Sequence, residues 1–227
     1  METLKNNSRR KFIGTIALGA SAVPIAIGTA MATPFNDGAT WLSAGGNDSE
    51  AWFKKIKGTR RVVFDASEPN DAFGIIWTWG FYATNNQTGS ADNDITAVCV
   101  FRHNAMPFAL NDAMWSKYKL GETFNIKDLR TKAHSLRNPY YDAKDGDFPL
   151  NGVDGIKKMQ ERGAMFCVCN LAISVYSGMV AKKMGLDAEA VRKEWVDGVL
   201  PGVQIVPAGI WALDRAQKQG CSYIFAG

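Results

Sequence analysis

Two strand ends hold the residues of this sequence whose types and placement could do chemistry. Cys169-Asn170 follows the apolar run Ala164–Val168 and precedes a helical stretch. A cysteine at such a handover faces the first free N–H groups and the positive end of the helix. That setting favours thiolate over thiol, and the thiolate is the nucleophile. The same position also suits a small packing residue, because cysteines are among the most buried side chains. Arg102-His103-Asn104 follows a second apolar run, Asp94–Phe101. His103 there could act as a general base, as a hydrogen-bond donor to a bound anion or as a metal ligand, or simply be a satisfied polar residue. Ligands of open α/β sheets bind beyond the carboxyl ends of the strands. If the two strands are neighbours, Cys169, Asn170, His103 and Asn104 open onto one rim.

The remaining cysteines read as structural. Cys167 lies two residues before Cys169, on the same strand face but deeper, and Cys99 is in mid-strand. Cys221 opens the last apolar run. A disulfide between residues two apart is strained, and cysteines placed inside parallel strands do not make a disulfide framework. His134 has no partner nearby in sequence. With two histidines and no Cys-x-x-Cys or His-x-x-x-His, zinc and haem have little sequence support, and no cofactor is expected. There is no phosphate-binding glycine loop and no Gly-x-Ser-x-Gly elbow.

The elements that must position these residues alternate. Arg61–Asp65 is a compact strand. Asn70 to about Thr84 carries Phe73, Ile76, Trp77, Gly80 and Phe81 at helical spacing, with Trp77 and Trp79 expected in the core. Asp94–Phe101 is apolar on consecutive positions, as suits a strand covered on both faces. A helix is expected over Phe108–Tyr118. Lys119–Asn151 is then irregular, and a connection that long is either a functional or contact element or a mobile insertion. Val153–Arg162 reads as a helix stopped by Gly163, and Ala164–Val168 as the third strand. Leu171–Met184 is a helix with Lys182-Lys183 in its last turn and Gly185 just beyond. Asp187 caps a helix ending near Trp195. Val203–Val206, Ile210–Gln219 and Cys221–Phe225 complete the order as strand, helix and strand. Repeated βα units imply a mostly parallel sheet of about five strands, with helices on both faces.

An apolar fraction of 46% and a charged fraction of 21% over 227 residues describe one globular domain with a real core. Residues 1–32 read as a targeting segment to be set apart from the fold. Ser8-Arg9-Arg10-Lys11-Phe12-Ile13-Gly14 carries the twin-arginine pattern, an Ala- and Gly-rich apolar run follows, and Ala30-Met31-Ala32 is a small-x-small cleavage site ending at Ala32. An uncleaved segment would tether the protein to the membrane instead, but Gly14, Gly19, Gly28 and Pro24 make a poor bilayer span. The expected location is the periplasm. Most of the +4 formal charge belongs to this segment. The near-neutral remainder gives no electrostatic reason to expect nucleic acid or a membrane surface as a partner. Residues 33–60 form an N-terminal extension, held across the surface by Trp41, Trp52 and Phe53, and 61–227 the domain.

Several segments resemble DsrE-like domains of the DsrE/DsrF sulfur-relay superfamily. Val203-Gln204-Ile205-Val206-Pro207-Ala208-Gly209-Ile210, with Leu213, Arg215, Gln217, Gly220 and Tyr223-Ile224, resembles their closing segment. Phe166–Leu171 and Leu200-Pro201-Gly202 fit the same family, and Val100–Asp112 looks like the version found in exported members. The resemblance runs from about Arg61 to Phe225. It implies a flavodoxin-like α/β sandwich assembled into homo-oligomers such as trimers or hexamers. It also implies a persulfide carried on Cys169, exchanged with a sulfur donor or acceptor protein. Asn170 and the helix after it lack the small-residue run of the relay proteins. Two further readings stand beside sulfur transfer: a non-catalytic oligomeric binding module, and a periplasmic metal- or haem-binding protein using His103 and Cys169.

Overall fold

In the computed structural model, residues 46–226 are described. The twin-arginine segment with Arg9, Arg10 and Ala32, and the extension as far as residue 45, lie outside the described residues. So does Trp41.

Five parallel strands form one sheet in the order β4-β3-β2-β1-β5. They are β1 (Arg60–Ala66), β2 (Ile95–Phe101), β3 (Met165–Cys169), β4 (Val203–Val206) and β5 (Ser222–Phe225). Helices cover both faces, so the chain is an α/β sandwich of the flavodoxin-like class. β2 is the central strand, and all seven of its residues are buried, which is why its apolar positions run consecutively. β5 is an edge strand, and all four of its residues are exposed.

The two faces are covered unequally. On the first, Val62, Phe64, Ala97, Phe101, Phe166 and Val168 pack under the helices α2 (Phe73–Gln87), α6 (Asn170–Met184) and α7 (Ala188–Asp197). The shorter helices α3 (Asp112–Tyr118), α4 (Leu120–Thr123) and α5 (Ile156–Glu161) lie among the chain segments of the same layer. On the second face, Val63, Val98, Val100 and Val206 pack under α8 (Gly209–Lys218) and α1 (Gly46–Phe53), the latter through Trp52 and Phe53. Those two aromatic residues therefore do fix the extension to the sheet. No helix among the described residues is long and apolar enough to cross a membrane.

Three expectations change. α2 buries Ile75, Ile76, Thr78 and Tyr82, leaving Trp77 47% exposed and Trp79 half-buried. The segment from 72 to 83 is apolar nearly all round, so spacing alone selects the wrong stripe. The chain also enters this helix through three successive left-handed residues, Asn70, Asp71 and Ala72, with φ of 35°, 49° and 63°; no glycine there announces the turn. Finally, Lys119–Asn151 packs against the body. Asn138 donates to the carbonyls of Phe108 and Leu110, Tyr140 and Phe148 are buried in the main core, and Arg137 bridges Asp128 and Asp147.

Candidate functional site

The loops after β1, β2 and β3 lead to helices on the first face, whereas the loop after β4 leads to α8 on the second. β3 and β4 are neighbours, so the crevice between their carboxyl ends is the topological switch point, where ligands of such sheets bind. Cys169 lies in that crevice. It is both the last residue of β3 and the N-cap of α6, its Sγ accepting the Ala172 N–H at 3.3 Å. Across the crevice, the Leu171 N–H donates to the Pro207 carbonyl at 3.3 Å.

Cys169 is buried, with 5% of the residue exposed. Cys167 is fully sealed and packs with the second-face cluster, whereas Cys169 joins the first. The expected shared face fails because Cys169 already belongs to the helix start, and its side chain turns towards the helix N–H groups. Burial drives the thiols of Cys167 and Cys99 well above their ordinary value and pushes Cys221 up to about 11. All four cysteines are free.

An ion pair crosses the same rim. Arg102 at the end of β2 donates from Nε to Asp65 Oδ1 at 2.6 Å and from its second nitrogen to Oδ2 at 2.9 Å. Tyr223 of β5 donates to Asp65 Oδ2 at 2.8 Å. The Asp65 hydrogen bond raises the Arg102 pKa. Arg102 lies against the start of α8, where a Cβ on Gly209 would come within 2.6 Å of its own Cβ. Gly209 thus leaves room for the Arg102 side chain at the start of α8.

His103 and Asn104 meet at Glu68, which follows β1. His103 Nδ1 is 3.2 Å from Glu68 Oε1, and Asn104 donates to Oε2 at 2.8 Å. Tyr176 of α6 donates to Asn104 Oδ1 at 2.6 Å, and its ring meets His103 edge-on at 6.0 Å. Burial, then the charge of Glu68, pushes the Tyr176 hydroxyl up. His103 is exposed in a left-handed conformation, φ 50°. Asn170 is fully buried, with Arg192 donating to its Oδ1 at 3.5 Å.

The rim thus brings Cys169, His103 and Asn104 to one edge, with no hydrogen bond between the thiol and the imidazole. Sequence reasoning missed Asp65, Glu68, Arg102, Tyr176 and Tyr223. The signals for three of them were Asp65 and Glu68 at a strand exit and Arg102 beside His103. His134 is exposed in an isolated bridge to Lys127. Among the described residues, no group of three or more His, Cys, Asp or Glu side chains could hold a metal ion.

No family model matches the chain, and no curated protein matches it. Among solved structures, a protein of unknown function from Methanobacterium thermoautotrophicum is similar at 17% identity with a TM-score of 0.39, the alignment covering 73% of this chain and 98% of that one.

Proposed function

We propose that this is an exported DsrE-like protein that binds or passes on sulfane sulfur through Cys169. The observation that carries the reading is the position of its Sγ in the switch-point crevice, held by the Ala172 N–H at the head of a 15-residue helix. Arg102 follows β2, the strand beside β3, on the same rim.

In the step itself, the Cys169 thiolate attacks the outer sulfur of a donor persulfide. The donor S–S bond breaks, a new S–S bond forms on Cys169, and the donor leaves as its thiolate. No outside oxidant is consumed.

Mass spectrometry of peptides from polysulfide-treated protein tests this. Added sulfur is expected on the Cys169 peptide and is lost in Cys169→Ser. An unmodified Cys169 peptide, or undiminished whole-protein addition in the variant, would remove the proposal.

A second reading, a non-catalytic oligomeric module such as a trimer or hexamer, has its own support. Tyr223, Ile224 and Phe225 are exposed along the open edge of β5, and an unpaired apolar edge is a template for another chain. A clean monomer in sedimentation velocity would count against that reading and leave the sulfur proposal standing.

A further inference from the structure

A separate cavity of about 300 Å³ opens on the rim over β1 and β2, between the left-handed turn 69–72, Phe108 and the segment 125–140. That volume is at the small end of ligand sites. Its apolar wall is Phe108, Ile126 and Leu129.

The polar groups lining it differ from those elsewhere on the rim. Around Glu68 and Asp65, polar side chains bind one another. Here Asp71 and Lys127, opposite in charge, enter neither an ion pair nor a side-chain hydrogen bond among the described residues.

Tyr140 supplies the independent observation. It is 2% exposed, with its ring fixed by Phe108 edge-on at 5.1 Å and by Phe148 at 5.0 Å. Its hydroxyl has no hydrogen-bond partner among the described residues. Among the described residues, Arg61 Nε and Trp195 Nε1 are the side-chain polar atoms that are both sealed and unpaired. The Tyr140 hydroxyl is unpaired but unsealed, so its opening is the cavity that the residue lines. A buried polar atom is ordinarily satisfied, and this one is held ready for a partner that the protein does not supply.

We propose that this cavity binds a free α-amino acid with an apolar side chain. Its ammonium group meets Asp71 and the Tyr140 oxygen, its carboxylate meets Lys127, and its side chain lies on Phe108, Ile126 and Leu129. The chemistry follows from the lining. Burial, followed by the charges of Asp71, Asp128 and Asp147, pushes the Tyr140 hydroxyl up. It stays protonated, and since Arg137 bridges Asp128 and Asp147, Asp71 is the carboxylate of the three that is left to favour a cation beside it. Lys127 at the mouth disfavours a simple amine and completes a zwitterion's pairing. This inference does not depend on Cys169.

Calorimetric titration of the full chain with L-phenylalanine and L-leucine tests it, using 2-phenylethylamine and 3-phenylpropionate as probes lacking one charge. Saturable binding of at least one amino acid is expected, with each single-charge probe about tenfold weaker, the size of one lost charge-assisted contact. Asp71→Asn should weaken the amino acid about tenfold and Tyr140→Phe about fivefold, and Asp71→Asn should erase the preference for phenylalanine over 3-phenylpropionate. Circular dichroism confirms that the variants are folded. The proposal falls if neither amino acid gives heat up to about 5 mM, if the single-charge probes bind equally well, or if folded Asp71→Asn and Lys127→Gln both keep wild-type affinity.

Discussion

Arg102 and Arg137 each hold carboxylates, but they serve different kinds of structure. Arg137 joins Asp128 and Asp147, both within ten residues of it in sequence, and Asp147 is fully buried. It closes one long segment upon itself. Arg102 reaches Asp65, 37 residues away, and shares that carboxylate with Tyr223, 158 residues from Asp65. It ties three strand ends together beside the thiol, and its side chain stays 27% exposed. The first cluster makes an irregular segment solid, whereas the second leaves a partly exposed cation on the rim. Arg137 is therefore expected to matter for stability alone, and Arg102 for stability and for the chemistry of Cys169.

The largest effect expected is that of Arg137→Met. It removes the cation from two carboxylates, one of them fully buried, and breaking buried pairs from one side costs about 3–5 kcal/mol. Urea unfolding should show a lower midpoint with the slope preserved, while Cys169 in the folded fraction keeps its polysulfide adduct. Loss of the adduct in folded Arg137→Met protein would merge the two regions into one.

Arg102→Met should cost somewhat less, about 2–3 kcal/mol, because the guanidinium is partly solvated and Tyr223 still donates to Asp65. Its distinguishing effect is on the thiol: alkylation of Cys169 by iodoacetamide at neutral pH should slow severalfold. A folded variant that alkylates at the wild-type rate would erase the difference between the two arginines, leaving both purely structural.

Acid should separate the regions further. Burial pushes the Asp128 carboxyl up, but the N–H groups of Arg130 and Thr131, then Arg137, outweigh it and leave the group below its ordinary value. A carboxyl depressed in the folded state contributes stability that is present above its unfolded pKa and lost as pH falls through the folded value. Hydrogen exchange in residues 126–140 should therefore accelerate below about pH 4, before β2 loses protection. Simultaneous loss of both would show that the segment has no stability of its own.

How much of this could be read from the sequence depends on the distance between partners. The runs Asp94–Phe101 and Val203–Val206 betray their strands because burial on a sheet face dictates each residue locally. Asp187 and Gly185 mark helix ends for the same reason. Cys169 and His103 were legible as strand-end residues, since the sheet rule needs only the order of elements. Glu68 and Tyr176 were not: each becomes part of the rim only when residues 35 and 72 positions distant fold against it. The left-handed turn at Asn70–Ala72 left no mark, because the usual glycine is missing and the surrounding packing imposes the conformation. The cavity beside it was invisible for the same reason.

The smallest effect expected is the most specific to the rim. Tyr223→Phe removes one O–H donor from Asp65 while Arg102 still binds both of its oxygens, so the cost should be only about 0.5–1 kcal/mol at neutral pH. Its pH dependence carries the information. Burial, then the hydrogen bond to Asp65, pushes the Tyr223 hydroxyl above its ordinary value. A group that folding holds in its protonated form stabilises fully below its unfolded pKa, and this contribution fades as pH rises through the folded value. The gap between wild type and Tyr223→Phe should thus be constant through neutrality and close above about pH 10. A gap that persists unchanged in alkali would mean that the phenol acts by packing alone. Asp65 would then be held by Arg102 without help from the edge strand, and the rim would be a two-strand clamp.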